Sequence, residues 1–172
     1  IDLHFTFFHA ECISSKGVLM KNEIFRRTIE TPVGKMTLSV FENYLIQVSF
    51  DNQIFDDNHP VLLEAENQIL EYFAGKRKIF KIPLKFIGTY FQKKVWQELM
   101  KIPFGETICY QELARRIGDI KMARAVGNAN GKNPISIVVP CHRVIAKNGT
   151  IGGFTGGIEK KIFLLNLENH NF

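Results

Sequence analysis

"CYQELARRIGDIKMARAVGNANGK" occupies residues 109–132, and its reading decides how the second half of the chain is built. Leu113 and Ile117 lie four apart, which puts both on one face of a helix, and Gly118 stands where that helix should end. Three residues later a second segment, "KMARAVGNANGK", begins. Two short helices joined by so short a turn, the second holding a basic side chain, form the pattern of a helix-turn-helix. The second helix is odd for one that reads bases. It is mostly Ala and Gly with one long cation, Arg124, whereas major-groove reading uses large polar side chains. Small residues such as Ala123, Ala125 and Gly127 let a backbone approach closely, as minor-groove binding requires. The alternative is a glycine-loosened helix packed against its neighbour.

Working outward, "TYFQKKVWQELMKI" (residues 89–102) places Phe91, Val95, Trp96 and Leu99 at helical spacing and stops at Pro103. "PISIVVP" (134–140) reads as a buried strand leading to Cys141, and "GGIEKKIFLLNLEN" (156–169) as a closing helix on which Ile158, Ile162 and Leu165 recur. Towards the N-terminus, residues 23–50 alternate apolar and polar side chains around turns at Thr31–Gly34 and Glu42–Asn43, which predicts three strands. "HPVLLEAENQILEYFAGK" (59–76) is a helix with Pro60 in its first turn, Leu62, Ala65, Ile69, Leu70 and Phe73 on one face, and Gly75 at its end. "KIFKIPLKF" (78–86) is extended, but Pro83 argues against a central strand. Residues 1–19 show no sustained period, so Met20 is read as a candidate start, with the preceding stretch a poorly ordered extension.

Composition narrows the function classes. At 172 residues, 45% hydrophobic and 23% charged, the chain has the make-up of an ordinary globular protein able to bury a core without disulfides. No apolar run reaches the length of a membrane span, and the apolar start lacks the basic flank of a secretory signal. Three cysteines, odd in number and without a CxxC pair, favour free thiols in a reducing, cytoplasmic setting. The net charge of +5 is uneven: residues 87–172 carry 12 Lys/Arg against 6 Asp/Glu, residues 1–86 carry 10 against 11. That excess fits a polyanionic partner or an ordinary basic surface.

"VVPCHRVIAKNG" (138–149) holds the candidate chemistry. Pro140 removes a backbone donor just before Cys141, and His142 follows it. A cysteine there can be packing, a metal ligand or a nucleophile. Metal is the weakest reading, because one Cys-His pair lacks the companion ligands of a structural zinc site. In a straight strand Cys141 and His142 point to opposite faces, so adjacency does not establish contact. An imidazole and Arg143 nearby would favour a thiolate.

"FQKKVWQELMKIPFGETICYQELARRIG" (91–118), "ARAVGNANGKNP" (123–134) and "IVVPCHRVIAKNGTIGGFTGG" (137–157) together resemble the methylated-DNA–protein-cysteine methyltransferases, the O6-alkylguanine-DNA alkyltransferases. The resemblance runs from about Phe91 to Glu168 and more weakly from Met20. It implies an α+β chain. Residues 20–88 would form a small N-terminal antiparallel sheet with a helix, RNase H-like. Residues 89–172 would form a mainly helical domain with the helix-turn-helix and the reactive cysteine. The implied reaction moves the alkyl group of O6-alkylguanine, and of O4-alkylthymine, irreversibly onto Cys141, once per molecule. His142 would take the thiol proton through a water and be oriented by Glu168. Asn133 would brace this network and the helix-turn-helix. Tyr110 would hydrogen-bond the purine and help protonate the leaving guanine. Val144 and Thr155 would hold the guanine edge through backbone groups, with Phe154 beside it. Arg124, with Ala123, Ala125 and Gly127, would enter the minor groove of double-stranded DNA and fill the gap left by the flipped nucleotide. No cofactor, metal or membrane partner is implied, and the chain would act as a monomer. Phe154 stands where many members have tyrosine, and Thr155 where serine is common. A hydroxyl contact is thereby lost, and a methyl group narrows the pocket. Non-catalytic lesion binders resembling this family lack the cysteine. A helix-turn-helix regulator would need more base-reading side chains than Arg124 and Asn128, and a cysteine hydrolase would need no basic helix-turn-helix.

Overall fold

A computed structural model describes residues 23–168, so the readings of Met20 and of residues 1–19 fall outside it. Strands β1 (Ile24–Thr31), β2 (Gly34–Phe41) and β3 (Tyr44–Ser49) form an antiparallel sheet in the order β1-β2-β3. Thr31 pairs with Gly34 and Phe41 with Tyr44, so both tight turns fall where the sequence puts them. Helix α1 (Pro60–Phe73) covers one face of the sheet, with His59 accepting from the Val61 N–H as its cap. Its buried stripe is Leu62, Ala65, Gln68, Ile69 and Tyr72; Leu70, expected on that face, is exposed. The register is therefore rotated toward Gln68 and Tyr72. Gln68 bonds both backbone groups of Lys81, and Tyr72 finds a distant acid, so neither side chain is buried without a partner. Residues 78–86 are extended, and Leu84 bridges Leu45 beside β3.

The second half is helical, as an α+β chain requires: α2 (Tyr90–Leu99), α3 (Tyr110–Ile117), α4 (Ala123–Gly131) and α5 (Ile158–Leu167). Thr89 and Gln92 close a capping box on α2, which ends four residues before Pro103 rather than at it. The helix-turn-helix is α3 and α4, joined by Gly118, Asp119 and a single 3-10 turn at Ile120–Met122. Trp96 of α2 donates its indole N–H to the Ala129 carbonyl at 2.9 Å, locking α4 onto the core. Gly118 holds φ 128°, a backbone conformation that side chains rarely adopt. Replacing it with alanine is expected to cost about 1–2 kcal/mol of stability. A urea midpoint unchanged in Gly118→Ala would show that the α3 terminus tolerates a Cβ.

The expected strand at 134–140 is absent. Ile135 and Ser136 touch the edge of β3, with the Val48 N–H donating to the Pro134 carbonyl and the Ser136 N–H to the Val48 carbonyl. The chain then turns sharply. Ile137 has φ 72°, and the Val138 N–H donates to the Ser136 carbonyl. The Cys141 N–H donates to the Val139 carbonyl across Pro140 (φ −82°, ψ 61°), an inverse γ-turn. A β-branched residue at positive φ is strained, and burial holds it there: Ile135, Ile137 and Val139 are all fully inside. Cys141 therefore opens a short 3-10 turn, Cys141–Arg143, rather than ending a strand. Two-residue strands β4 (Ile108–Cys109) and β5 (Val144–Ile145) pair in parallel just beyond it.

The closing helix also differs in its face. Ile158 is exposed, while Lys161, Leu164 and Leu165 are buried. With Glu168 just past its end, α5 thus turns two charged residues inward.

Candidate active site

Cys141 is 4% exposed, and its sulfur accepts an N–H from Asn133 Nδ2 at 3.1 Å. Asn133 also donates to the Val139 carbonyl at 2.8 Å and accepts from the Ile135 N–H at 3.0 Å. It therefore braces the turn that delivers the cysteine rather than the turn between α3 and α4. Asn130, on the last turn of α4, donates to the Cys141 carbonyl at 3.4 Å.

His142 is wholly buried, with Nε2 2.9 Å from Oε1 of Glu168. A carboxylate can only accept, so the hydrogen sits on Nε2 and Nδ1 carries the lone pair. Among the described residues Nδ1 has no protein partner. Glu168 is the hub of the site. Oε1 also accepts from Tyr72 Oη at 2.7 Å and from Arg143 Nη2 at 3.0 Å, and Oε2 accepts from Arg143 Nε at 2.8 Å and from the Gly105 N–H at 3.3 Å. Arg143 adds a bond to the Ile102 carbonyl at 2.6 Å and lies over the Phe104 ring.

Burial would raise the Glu168 carboxyl, but the hydrogen bonds and charges of His142 and Arg143 outweigh it and hold the group well below the ordinary range. Burial depresses the His142 imidazole, and the Arg143 and Lys161 charges add to that effect against the pull of Glu168. His142 is consequently neutral at neutral pH, in the form that accepts a proton. Burial also raises the Cys141 thiol, opposed by the Asn133 bond, by the Lys161 charge and by backbone N–H groups. The pair is thus arranged as a thiol beside a base rather than as a standing thiolate.

Lys161 is the other buried charge. Its ammonium donates to the carbonyls of Val144 and Ile151, both at 2.6 Å, and of Gly153 at 3.3 Å. Burial lowers it to about 8, with Cys141 pulling the other way. It thereby ties α5 to the loop that carries Phe154 and Thr155. Phe154 packs edge-on against Phe50, which follows β3 (6.0 Å between centroids), and the Thr155 hydroxyl donates to the Gly131 carbonyl at the end of α4. Val144 donates its N–H to the Cys141 carbonyl while its own carbonyl accepts from Lys161. A ligand contact at that carbonyl would have to use its second lone pair.

Tyr110 opens α3 and is half-buried; burial, then the Cys141 charge, raise its phenol. Its ring lies between two glycines: a Cβ at Gly127 would stand 3.6 Å from it and one at Gly152 3.4 Å. On α4, Ala123 and Gly127 are half-buried while Arg124, Ala125 and Asn128 face outward, so the face away from the core is small-residued with one projecting cation. Arg115, Arg116, Lys121, Lys132 and Lys147 of the same half are exposed as well.

Cys141 with Asn133, and His142 with Glu168, thus form two buried hydrogen-bonded pairs brought together by the Cys141–Arg143 turn, while Arg124 and Ala125 lie on the surface of α4. Sequence reasoning missed Tyr72, Asn130, Arg143 as a ligand of Glu168, and Lys161. Lys161 left a legible trace, because it holds a core position in phase with Leu164, Leu165 and Glu168. Tyr72 left none, since 96 residues separate it from Glu168. Among the described residues no group of three or more His, Cys, Asp or Glu is set to hold a metal ion, and no helix is long and apolar enough to cross a membrane.

Residues 24–86 match the family model described as the ribonuclease-like domain of 6-O-methylguanine DNA methyltransferase, and residues 90–170 match its DNA binding domain. The constitutive methylated-DNA–protein-cysteine methyltransferase of Bacillus subtilis is 42% identical, over 84% of this chain and 95% of that one. A methylated-DNA–protein-cysteine methyltransferase of Methanosarcina acetivorans is 44% identical, over 81% and 94%. Among solved structures, the Mycobacterium tuberculosis O6-methylguanine methyltransferase superposes with a TM-score of 0.78 at 42% identity, covering 85% of this chain and 93% of that one. The same organism's OGT in complex with DNA gives 0.77 at 41%, covering 84% and 93%.

Proposed function

Because the chain belongs to the 6-O-methylguanine DNA methyltransferase family, we propose that it repairs DNA by moving the alkyl group of O6-alkylguanine onto Cys141 in a single irreversible turnover. The observation that carries the reading is the buried Cys141 thiol beside a neutral His142 whose free nitrogen is Nδ1 and whose other nitrogen is held by Glu168. His142 takes the thiol proton through a water, and Sγ attacks the alkyl carbon. The new S–C bond forms as the C–O6 bond breaks, and the electron pair leaves with the purine. Tyr110 protonates the leaving guanine, and the thiol proton restores the balance. Asn133 steadies the sulfur, and Val144, Phe154 and Thr155 line the guanine's place.

An alkylated base within a duplex cannot reach a buried thiol, so the nucleotide must leave the stack. The small-residue face of α4, with Ala123, Ala125 and Gly127, suits close approach in the minor groove, and Arg124 is the side chain long enough to fill the gap. Residues 20–88 and 89–172 act as the two domains of this machine, a monomer in the cytoplasm. The free thiols of Cys109 and Cys141 fit a reducing compartment.

Intact-mass analysis after mixing with a duplex containing one O6-methylguanine should show one added methyl per protein, mapped to Cys141. Tight lesion binding without a mass change would place the chain among non-catalytic lesion binders. Binding to undamaged duplex should weaken steeply as salt rises, since phosphate contacts by the basic second half release counterions. A flat salt dependence would remove the electrostatic part of the reading.

A further inference from the structure

Four donors hold the carboxylate that orients His142, and one of them comes from the other half of the chain. Tyr72 lies in the last turn of α1, fully buried, and its hydroxyl donates to Oε1 of Glu168 at 2.7 Å, the same oxygen that receives His142 Nε2. Its ring is fixed among Phe73, Phe80 and Phe104, with centroids 5.5, 5.5 and 6.1 Å away. A residue needed only to fill this aromatic cluster would serve as phenylalanine, because a buried hydroxyl without a partner is unfavourable. The hydroxyl is present and is spent on Glu168.

We propose that Tyr72 is a positioning residue of the transfer reaction: its hydroxyl fixes Glu168 and draws charge from Oε1, so that His142 stays neutral with Nδ1 ready for the Cys141 proton. The inference rests on the role given above to His142. The charged groups acting on the His142 ring are Glu168 and Arg143 beside it and Lys161 of α5, while the Cys141 thiol meets the His142 backbone N–H; those acting on Tyr72 are Glu168 and Arg143. Removing the Tyr72 donor leaves more negative charge on the oxygen that faces His142, so the imidazole holds its proton more tightly. More of it is then protonated, and unable to act as a base, near neutral pH. The first, sheet-bearing half of the chain thereby contributes to the chemistry and is more than a scaffold for it.

The test is Tyr72→Phe in the full chain, read by single-turnover methyl transfer from saturating O6-methylguanine duplex across the neutral pH range. The transfer rate should fall about 5-fold at neutral pH, within what one charge-assisted hydrogen bond can shift. The acidic limb of the profile should move to higher pH, and duplex affinity should stay at the wild-type value. Phe80→Leu, which loosens the same ring cluster and keeps the hydroxyl, should lower thermal stability without moving the limb. Nitrogen NMR of His142 in Tyr72→Phe should show the same rise in its titration, independently of turnover. A Tyr72→Phe profile coincident with wild type, or a rate loss with an unmoved limb, overturns the proposal. If His142→Gln also transfers methyl at the wild-type rate, the base assignment falls and takes the proposal with it. Normal dependence on His142 with an unmoved limb in Tyr72→Phe sinks the proposal alone.

Discussion

Glu168→Ala is expected to destabilise the chain by about 3–5 kcal/mol and to bring methyl transfer close to zero. Breaking a buried ion pair by removing one partner leaves the other charge uncompensated. Here that partner is Arg143, whose Nε and Nη2 both lie on Glu168 and whose side chain is almost wholly inside the protein. The same deletion orphans the Tyr72 hydroxyl and the Nε2–H of His142, so the imidazole loses both its orientation and its fixed tautomer. The pH dependence has a definite sign. The folded-state value of Glu168 lies below that of an unfolded glutamate, so its stabilisation is complete above the ordinary glutamate range and is lost as pH falls toward the folded value. His142 acts in the same direction at higher pH, because its depressed folded value means that the unfolded chain takes up the proton first. Urea midpoints measured from neutral to acid pH should therefore fall steeply in wild type. In Glu168→Ala they should start low and lose the part of the slope below the glutamate range. A variant within about 1 kcal/mol of wild type at neutral pH would show that the network is not the keystone its geometry implies.

Lys161→Met should slow methyl transfer on the order of 10- to 100-fold, with duplex affinity nearly unchanged. Methionine keeps the volume and removes two functions. The positive charge that opposes the burial of a Cys141 thiolate disappears, and one unit of added thiol pKa alone leaves about a tenth of the thiolate at a given pH. The carbonyls of Val144, Ile151 and Gly153 lose their shared donor, so the loop holding Phe154 and Thr155 is no longer tied to α5. Stability should change less than activity. The three orphaned acceptors are offset by the removal of an ammonium from a buried site, where charge is unfavourable. The folded value of Lys161, about 8, lies below the unfolded one of 10.5, so the unfolded chain keeps the proton longer and wild-type stability from this group rises with pH across that window. Alkylation of Cys141 by iodoacetamide gives the sharper readout. Wild type should react faster than the variant below pH 8, and the two curves should converge above it as Lys161 loses its charge. Parallel curves would mean that the ammonium serves the loop alone.

Some of this architecture is written in short-range pattern and was legible from it. The two hairpin turns at Thr31–Gly34 and Glu42–Asn43, Pro60 in the first turn of α1, and the α3–Gly118–α4 unit each depend on residues within a few positions of one another. The family resemblance carried by the contiguous Pro-Cys-His-Arg motif marked the candidate nucleophile for the same reason. The path of residues 134–140 was not legible, because an apolar run bound for a strand and one folded into two γ-turns have the same composition. The strain at Ile137 is accepted only because the core and the edge of β3 close around it.

What the sequence by itself determined, then, is the order of the first three strands and of helices α1 to α5, the α+β class and which sulfur is the candidate nucleophile, since local spacing and a contiguous family motif specify these. The tertiary structure alone decided the company that sulfur keeps. Tyr72 meets Glu168 across 96 residues, and Lys161 reaches back 17 residues to Val144. Contacts at such separations are set by how the sheet, α1 and α5 close on one core. A buried charge is stabilised by whatever donors (for Glu168) or acceptors (for Lys161) that closure brings within about 3 Å of it, whatever their distance along the chain.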